Sequence, residues 1–268
     1  MTASPEAEHS APLKPFLDIA LEAARAGEEV IRHYYDGNVK VTMKEDYTPV
    51  TVADVETEQK IKDVILGAFP EHGFYGEETG KTNPDAEYNW LIDPIDGTKS
   101  FVRQYPFFST QIALMRGNEL IVGVSNGVMF NELAWASKGE GAFLNGEPLH
   151  VSDVTALRDA ALSMGNIATL GSQSKRWEGA GQLVQKVNRT RGYGDFYHYH
   201  LLASGKIELI VESDVNILDI AALSVIVTEA GGKFTDLEGQ ALNLDTRSVL
   251  ACNNEGLYKE VYSMIHGQ

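Results

Sequence analysis

The run Asp93-Pro94-Ile95-Asp96-Gly97-Thr98 sets two carboxylates three residues apart, with a proline stiffening the chain between them. It follows an apolar stretch, residues 89–92, that reads as a strand stopping at Asp93-Pro94, and it opens a short helical segment over 99–103. A helix N-terminus offers free N–H groups and a positive dipole end, which suits a phosphate. Carboxylates beside it would repel that phosphate unless cations lay between them, so the pattern asks for metal. Hard oxygen donors favour Mg²⁺ or Mn²⁺, whereas zinc favours His and Cys. Taken by itself, the same run also describes an acidic turn capping a helix.

Three further acidic elements accompany it. Gly76-Glu77-Glu78-Thr79 puts paired acids after Phe74-Tyr75, at the end of a predicted strand, where a solvated turn is the plainer reading. Asp219, between Leu218 and Ile220, opens an apolar helix and would be ordinary as a bare N-cap. Asp54, in Val52-Ala53-Asp54-Val55, fits a position on a helix surface. The order is the informative part. An acid, paired acids, D-x-x-D-G-T and an Asp opening a helix that ends Glu229-Ala230-Gly231-Gly232 are hard to assemble by chance.

In that order the residues resemble the inositol monophosphatase-like family, lithium-sensitive Mg²⁺ phosphatases that share a fold with fructose-1,6-bisphosphatase. The resemblance rests on Asp54, Gly76-Glu77-Glu78, the run from Trp90 to Thr98, and Leu218-Asp219 through Thr228-Glu229-Ala230-Gly231-Gly232. It covers nearly the whole chain after the first residues, and it implies roles. Glu77, Asp93 and the carbonyl of Ile95 would hold a first Mg²⁺, and Asp93, Asp96 and Asp219 a second. Asp54 would take a third-metal or water-orienting position. Metals about 3.5–4 Å apart clamp the attacking and leaving oxygens of an in-line displacement. Glu77 and Thr98 would orient and deprotonate the attacking water. The N–H groups of Gly97 and Thr98 would bind phosphate oxygens in the transition state, with Asp96 and Asp219 bordering the substrate. Leu218 departs from the family, which commonly has tryptophan there; the expected effect is on local packing more than on ligation.

The resemblance narrows further at Arg189-Thr190-Arg191-Gly192-Tyr193-Gly194-Asp195-Phe196. This run is similar to the R-x-R-G-[FY]-G-D-[FY] stretch of the histidinol-phosphatase branch, which implies histidinol phosphate as substrate. Inositol 1-phosphate or another small phosphomonoester is the alternative within the family. Locally the run reads as a strand-to-helix turn with Asp195 as N-cap of a helix from Phe196. Arg191 is a candidate to anchor phosphate or to orient acids, and Asp195 and Glu212 are candidates to face the substrate's non-phosphate end.

These residues need elements to carry them. Apolar residues at helical spacing predict a helix from Pro12 to the stop at Gly37, and a second over 52–68 with Thr51 as N-cap. Strands over 107–115 and 120–130 flank the hairpin signal Gly117-Asn118, and 132–136 and 142–144 continue the antiparallel pattern. The second half alternates helices (177–187, 196–203, 220–230, 255–265) with strands (207–211, 232–235, 248–251). The expected fold is a layered α+β/α/β sandwich of the fructose-1,6-bisphosphatase/inositol monophosphatase type. Its expected parts are a disordered tail at 1–11, an α+β half at 12–155 carrying the metal and phosphate motifs, and an α/β half at 156–268 supplying Asp219 and specificity.

Composition sets limits. Of 268 residues, 22 are Lys or Arg and 38 Asp or Glu, a formal charge of −16, and no basic patch offsets it, so a nucleic-acid partner is not expected. No run of about 18 apolar residues suggests a membrane span, and the polar start lacks a signal-peptide core. A cytoplasmic location follows by default, and the family's tendency implies a homodimer. The single Cys252 excludes an intrachain disulfide and reads as a small buried side chain. The D-x-x-D spacing argues against a D-x-D haloacid-dehalogenase-type nucleophile, and no G-x-x-x-x-G-K-[ST] is present. His198 and His200, at i and i+2 of a predicted helix, face apart and read as packing or surface residues, not metal ligands. An inert metal-binding interaction protein on the same fold is the reading from another class. Phosphate release from p-nitrophenyl phosphate with and without Mg²⁺ separates the two.

Overall fold

The computed structural model describes residues 13–35, 41–43 and 49–267; the tail expected at 1–11 lies outside them. The chain begins with α1 (Lys14–Tyr35), the antiparallel pair β1 (Val41–Met43) and β2 (Pro49–Thr51), and α2 (Val52–Ala68). The expected α2 boundaries coincide with the observed ones, and the reason is local. The Thr51 hydroxyl accepts the N–H of Ala53 at 3.1 Å, while the Thr51 N–H donates to Asp54 Oδ2 at 2.8 Å, a reciprocal capping box.

Against these helices lies an eight-stranded sheet. From one edge it runs β10 (Glu147–Leu149), β9 (Ala142–Leu144), β8 (Glu132–Ser137), β7 (Glu119–Gly127), β6 (Ser109–Arg116), β5 (Tyr88–Asp96), β3 (Gly73–Gly76) and β4 (Gly80–Thr82). All neighbours are antiparallel except β3 and β5. A second, five-stranded sheet has the order β12 (Arg189–Arg191), β11 (Ala161–Gly165), β13 (Leu209–Ser213), β15 (Ser248–Cys252) and β14 (Lys233–Thr235). Among the remaining helices are α3 (Thr98–Val102), which follows β5, and α4 (Ala168–Ser172) and α5 (Ser174–Lys186), which follow β11. The rest are α6 (Asp195–Ala203), α7 (Ile217–Glu229) and α8 (Glu255–His266).

Side-chain periodicity fixes how the layers stack. Ala20, Ala23 and Ala24 of α1 and Ile61 and Ile65 of α2 share a core with Trp90, Ile92, Ile112, Leu114, Val122 and Val124 on one sheet face. The opposite face, through Leu91 and Ala113, meets α6 and α7, which reach the second sheet at Ile210, Val249 and Ala251. The alternate residues of that sheet, Leu209, Val211, Leu250 and Cys252, point outward to Leu183 of α5 and Leu257, Val261 and Ile265 of α8. The α7 helix is buried almost all round, as a helix between two sheets must be. Truncating one of its leucines or isoleucines to alanine would cost about 2–5 kcal/mol.

Several elements depart from expectation; the strand expected over 120–130 ends at Gly127, and the helix expected over 220–230 starts at Ile217. β5 does not stop at Asp93-Pro94 but runs on to Asp96. The helix after Arg191 starts at Asp195, with Gly194 preceding it as N-cap, so Asp195 is not the cap. His198 and His200 are both buried, and they do face apart. His198 meets Ser163 of the five-stranded sheet, and His200 meets Ser125 and Glu132 of the eight-stranded one. Cys252 is buried as expected, and burial pushes its thiol pKa well up. No helix among the described residues is long and apolar enough to cross a membrane.

Candidate active site

Residues three apart on a regular strand point to opposite faces, so Asp93 and Asp96 should diverge. They do not, because β5 is irregular there. Asp93 pairs with Gln111 and Asp96 with Ser109 on β6, so three steps along β5 oppose two along β6. Such a bulge re-aims side chains, and Pro94, which lacks an N–H, is tolerated inside it. Asp93 Oδ1 accepts the N–H of Ile95 at 3.0 Å, and Asp96 Oδ2 accepts the Ser109 hydroxyl at 3.4 Å.

The third carboxylate comes from the first turn of α7. Asn216 is the N-cap: its side-chain oxygen accepts the N–H of Leu218 at 2.7 Å. Its N–H and Nδ2 donate to the two carboxylate oxygens of Asp219 at 2.9 and 2.6 Å. Asp219 is therefore the third residue of the helix, clamped by its cap, and not the cap itself. Oxygens of Asp93, Asp96 and Asp219 all lie within 4.8 Å of one another.

Such crowding is electrostatically expensive. Burial, then Glu77, Asp96 and Asp219, holds the Asp93 carboxyl well above the usual carboxylate range. Burial and the neighbouring Asp219, Asp195 and Glu212 do the same to Asp96. Asp219 is pushed up to about 7, chiefly by burial and, against the Asn216 bonds that lower it, by Glu77 and Glu212. Oxygen donors that converge in this way form a cluster that fits a hard divalent cation.

Thr98 and Asp54 meet beside the cluster. Gly97, at φ 90°, turns β5 into α3, and a Cβ there would come within 2.7 Å of the Phe107 carbonyl oxygen, so glycine is required. The Thr98 hydroxyl lies 3.2 Å from Asp54 Oδ1 and 3.1 Å from the carbonyl of Ile95. Asp54 is fully buried, not on a helix surface, and its Oδ2 also accepts the Thr51 hydroxyl at 2.6 Å. Burial raises its pKa, against the two Thr51 bonds and the Thr98 bond that lower it. Glu77 stands at the exposed rim, in the turn between β3 and β4. Its N–H donates to the carbonyl of Ile92 at 3.2 Å.

A cleft beside Asp96 and Asp219 is lined also by Asn166, Asp195, Tyr199 and Glu212. Asp195 has φ 47°, a left-handed backbone that is costly for a residue with a Cβ and typical of functional sites. Its carboxyl is pushed up to about 6 by burial and Glu212, against a lowering by His198. Arg191 stands apart. It is exposed on the edge strand β12, and its guanidinium donates to the carbonyl of Thr190 at 2.7 Å.

Sequence reasoning passed over Glu58. One turn after Asp54 on α2, it is fully buried, and its two oxygens accept the N–H groups of Glu78 and Thr79 at 2.8 and 2.7 Å. It thus secures the turn that carries Glu77. The available signal was its i, i+4 spacing from Asp54, which stacks both acids on one helix face.

Residues 12–267 match the profile of the inositol monophosphatase family. The chain belongs to the inositol monophosphatase family. It is a phosphoric monoester hydrolase with that family's layered fold. It is 38% identical to the histidinol-phosphatase of Streptomyces coelicolor over 76% of this chain and 79% of that protein. To the histidinol-phosphatase of Mycobacterium tuberculosis it is 36% identical over 84% and 88% respectively. Among solved structures, the inositol monophosphatase of Anabaena superposes with a TM-score of 0.83 at 30% identity, covering 96% of this chain and 97% of that one.

Proposed function

We propose that the chain hydrolyses histidinol phosphate to histidinol and phosphate, using Mg²⁺ (two or three ions, with Mn²⁺ as substitute) and water as nucleophile. Glu77, Asp93 and the Ile95 carbonyl would hold one ion, and Asp93, Asp96 and Asp219 another. When bound, the ions supply charge neutralisation and a more acidic water. The protein's own residues do the rest. The N–H groups of Gly97 and Thr98, at the head of α3, receive phosphate oxygens. Thr98, backed by Asp54, and Glu77 orient the water and accept its proton; the phosphoryl group moves to it in line without a covalent enzyme intermediate, and the ester oxygen leaves as the histidinol hydroxyl, protonated from solvent. Asp195 and Glu212 take the ammonium and imidazole end of the substrate; Arg191, exposed and turned to the Thr190 carbonyl, is given no part in it. The reaction would run in the cytoplasm, in a homodimer, which light scattering tests.

One observation carries the substrate reading: two carboxylates, Asp195 and Glu212, share a cleft with Asp96 and Asp219. A cationic group in that partly dry space is attracted far more strongly than in water, whereas inositol offers only neutral hydroxyls. The similarity to two proteins named histidinol-phosphatase supports the same reading. The test is a side-by-side panel of histidinol phosphate, inositol 1-phosphate, fructose 1,6-bisphosphate and adenosine 3′,5′-bisphosphate. Histidinol phosphate is expected to have the highest kcat/KM. An equal or higher value for inositol 1-phosphate overturns the substrate, while the phosphatase chemistry stands.

A further inference from the structure

Behind Glu212 lies a line of buried polar groups that the reaction itself does not use. Ser163 of β11 is fully buried. Its Oγ accepts the N–H of Tyr193 at 3.2 Å and lies 3.1 Å from His198 Nδ1. A hydroxyl carries one hydrogen. Because the other ring nitrogen, Nε2, faces the carboxyl group of Glu212, the tautomer that suits the site keeps the imidazole proton on Nε2 and takes the Ser163 hydrogen at Nδ1. His198 is fully buried, and its Nε2 lies 3.2 Å from Glu212 Oε2. The approach is off the axis of a well-directed bond, and Nε2 has no other partner. The Tyr199 hydroxyl donates to the same Oε2 at 2.6 Å. One oxygen of Glu212 is therefore hydrogen-bonded by Tyr199 and packed against the Nε2 edge of His198. The other, Oε1, would sit 2.4 Å from a Cβ at residue 165, so glycine there is what admits it.

The same groups anchor the segment that carries the second carboxylate of the cleft. Tyr193 belongs to the segment that leads into Asp195, and Ser163 fastens its backbone. His198 stands one helical turn after Asp195 on α6. Ser163 and His198 thus join Glu212 of β13 to the loop of Asp195, although neither touches the metal cluster.

We propose that His198 is a specificity-positioning residue. Held by Ser163, it fixes the spacing of Glu212 and Asp195, with Glu212 Oε1 left as the acceptor for the substrate's non-phosphate end. The cationic nature of that end rests on the function proposed above; the positioning role does not.

The test compares wild type, His198→Leu and His198→Gln on the best substrate of the panel and on p-nitrophenyl phosphate, whose nitro group has no hydrogen to donate to Glu212. His198→Leu is expected to raise KM for the best substrate about tenfold, the worth of one misplaced hydrogen bond, with kcat within about twofold of wild type. The kcat/KM for p-nitrophenyl phosphate stays within about twofold. Glutamine presents both an acceptor and a donor and should recover most of the loss. If His198→Leu does not fold, as judged by thermal melting, Ser163→Ala takes its place with the same expected split. Equal losses on both substrates, or no change in KM for the best one, overturn the proposal. The wild-type panel reports separately on the substrate: a preference for inositol 1-phosphate removes the cation while the KM split still decides the role of His198.

Discussion

The Thr98 hydroxyl lies 3.2 Å from the carboxylate of Asp54, 44 residues earlier in the chain. The contact links the head of α3 to the first turn of α2. It gives Thr98 a carboxylate behind it, so a proton taken from water has somewhere to go. Thr98→Ala is expected to lower kcat about 10²–10⁴-fold, the usual worth of positioned proton transfer, with a much smaller change in KM. Thr98→Ser should retain most activity. Steady-state kinetics with saturating Mg²⁺ check this, and a near-wild-type kcat in the alanine variant removes Thr98 from water activation. Glu77→Gln should lose at least as much, because it also removes a charge from the metal site.

Activity is expected to vanish in EDTA and return with Mg²⁺, because the three carboxylates at 4.8 Å or less have only oxygen to offer. Excess Ca²⁺, which is larger and less octahedral, should inhibit, and family resemblance adds Li⁺. Asp219→Asn should raise the Mg²⁺ concentration needed for half-maximal rate before it lowers the rate itself. Full turnover by metal-stripped enzyme would refute the metal requirement.

The raised carboxyls predict how the metal-free protein responds to pH. Asp219 titrates near 7 when folded and near 3.8 when unfolded, so between those values the folded state holds the extra proton. Stability from this group is fully present below about 4 and is lost as pH rises through 7. Thermal melting of the EDTA-treated protein should therefore show a component that falls over that window. Mg²⁺ should remove it and release protons on binding, measurable by calorimetry in buffers of different ionisation enthalpy. A metal-free melting temperature that rises steadily from pH 4 to 7 contradicts this.

Asp195→Asn removes the charge of a residue held at φ 47° on the cleft. It is expected to raise KM for histidinol phosphate about tenfold or more and to narrow the preference over inositol 1-phosphate. An unchanged ratio of the two kcat/KM values argues that Asp195 faces elsewhere.

Glu58→Gln leaves one acceptor oxygen and turns an NH₂ towards the second of two backbone N–H donors. A buried donor without a partner costs about 1–3 kcal/mol, and urea denaturation should show a loss of that size. A stability equal to wild type would mean the turn at Glu78-Thr79 is held by something else.

Much of this was readable from residue order, and the exceptions have physical causes. The start of α2 was legible because Thr51 and Asp54 cap one another within a single turn. The two strands flanking Gly117-Asn118 were legible because the turn signal stands between two apolar runs, Ile112–Met115 and Leu120–Val124. The continuation of β5 was not, since proline normally ends a strand and the bulge that accommodates it depends on β6, another part of the chain. Asp219 looked like a cap because an Asp at the head of an apolar run commonly is one; Asn216, three residues earlier, holds that place. Glu58 was invisible because an acid on a helix is usually solvated, and only the fold brings the β3–β4 turn over it.

The central position of α6 and α7 has a consequence for biosynthesis. All eight strands of the large sheet are complete by residue 149, yet the helices that cover its second face begin at Asp195 and Ile217. During vectorial synthesis the emerging chain therefore passes through a stage with one side of the sheet, including Leu91 and Ala113, without its native cover. Exposed apolar sheet in an incomplete chain is prone to association. Slow delivery of the span between residues 150 and 229 is accordingly expected to lower the yield of native protein.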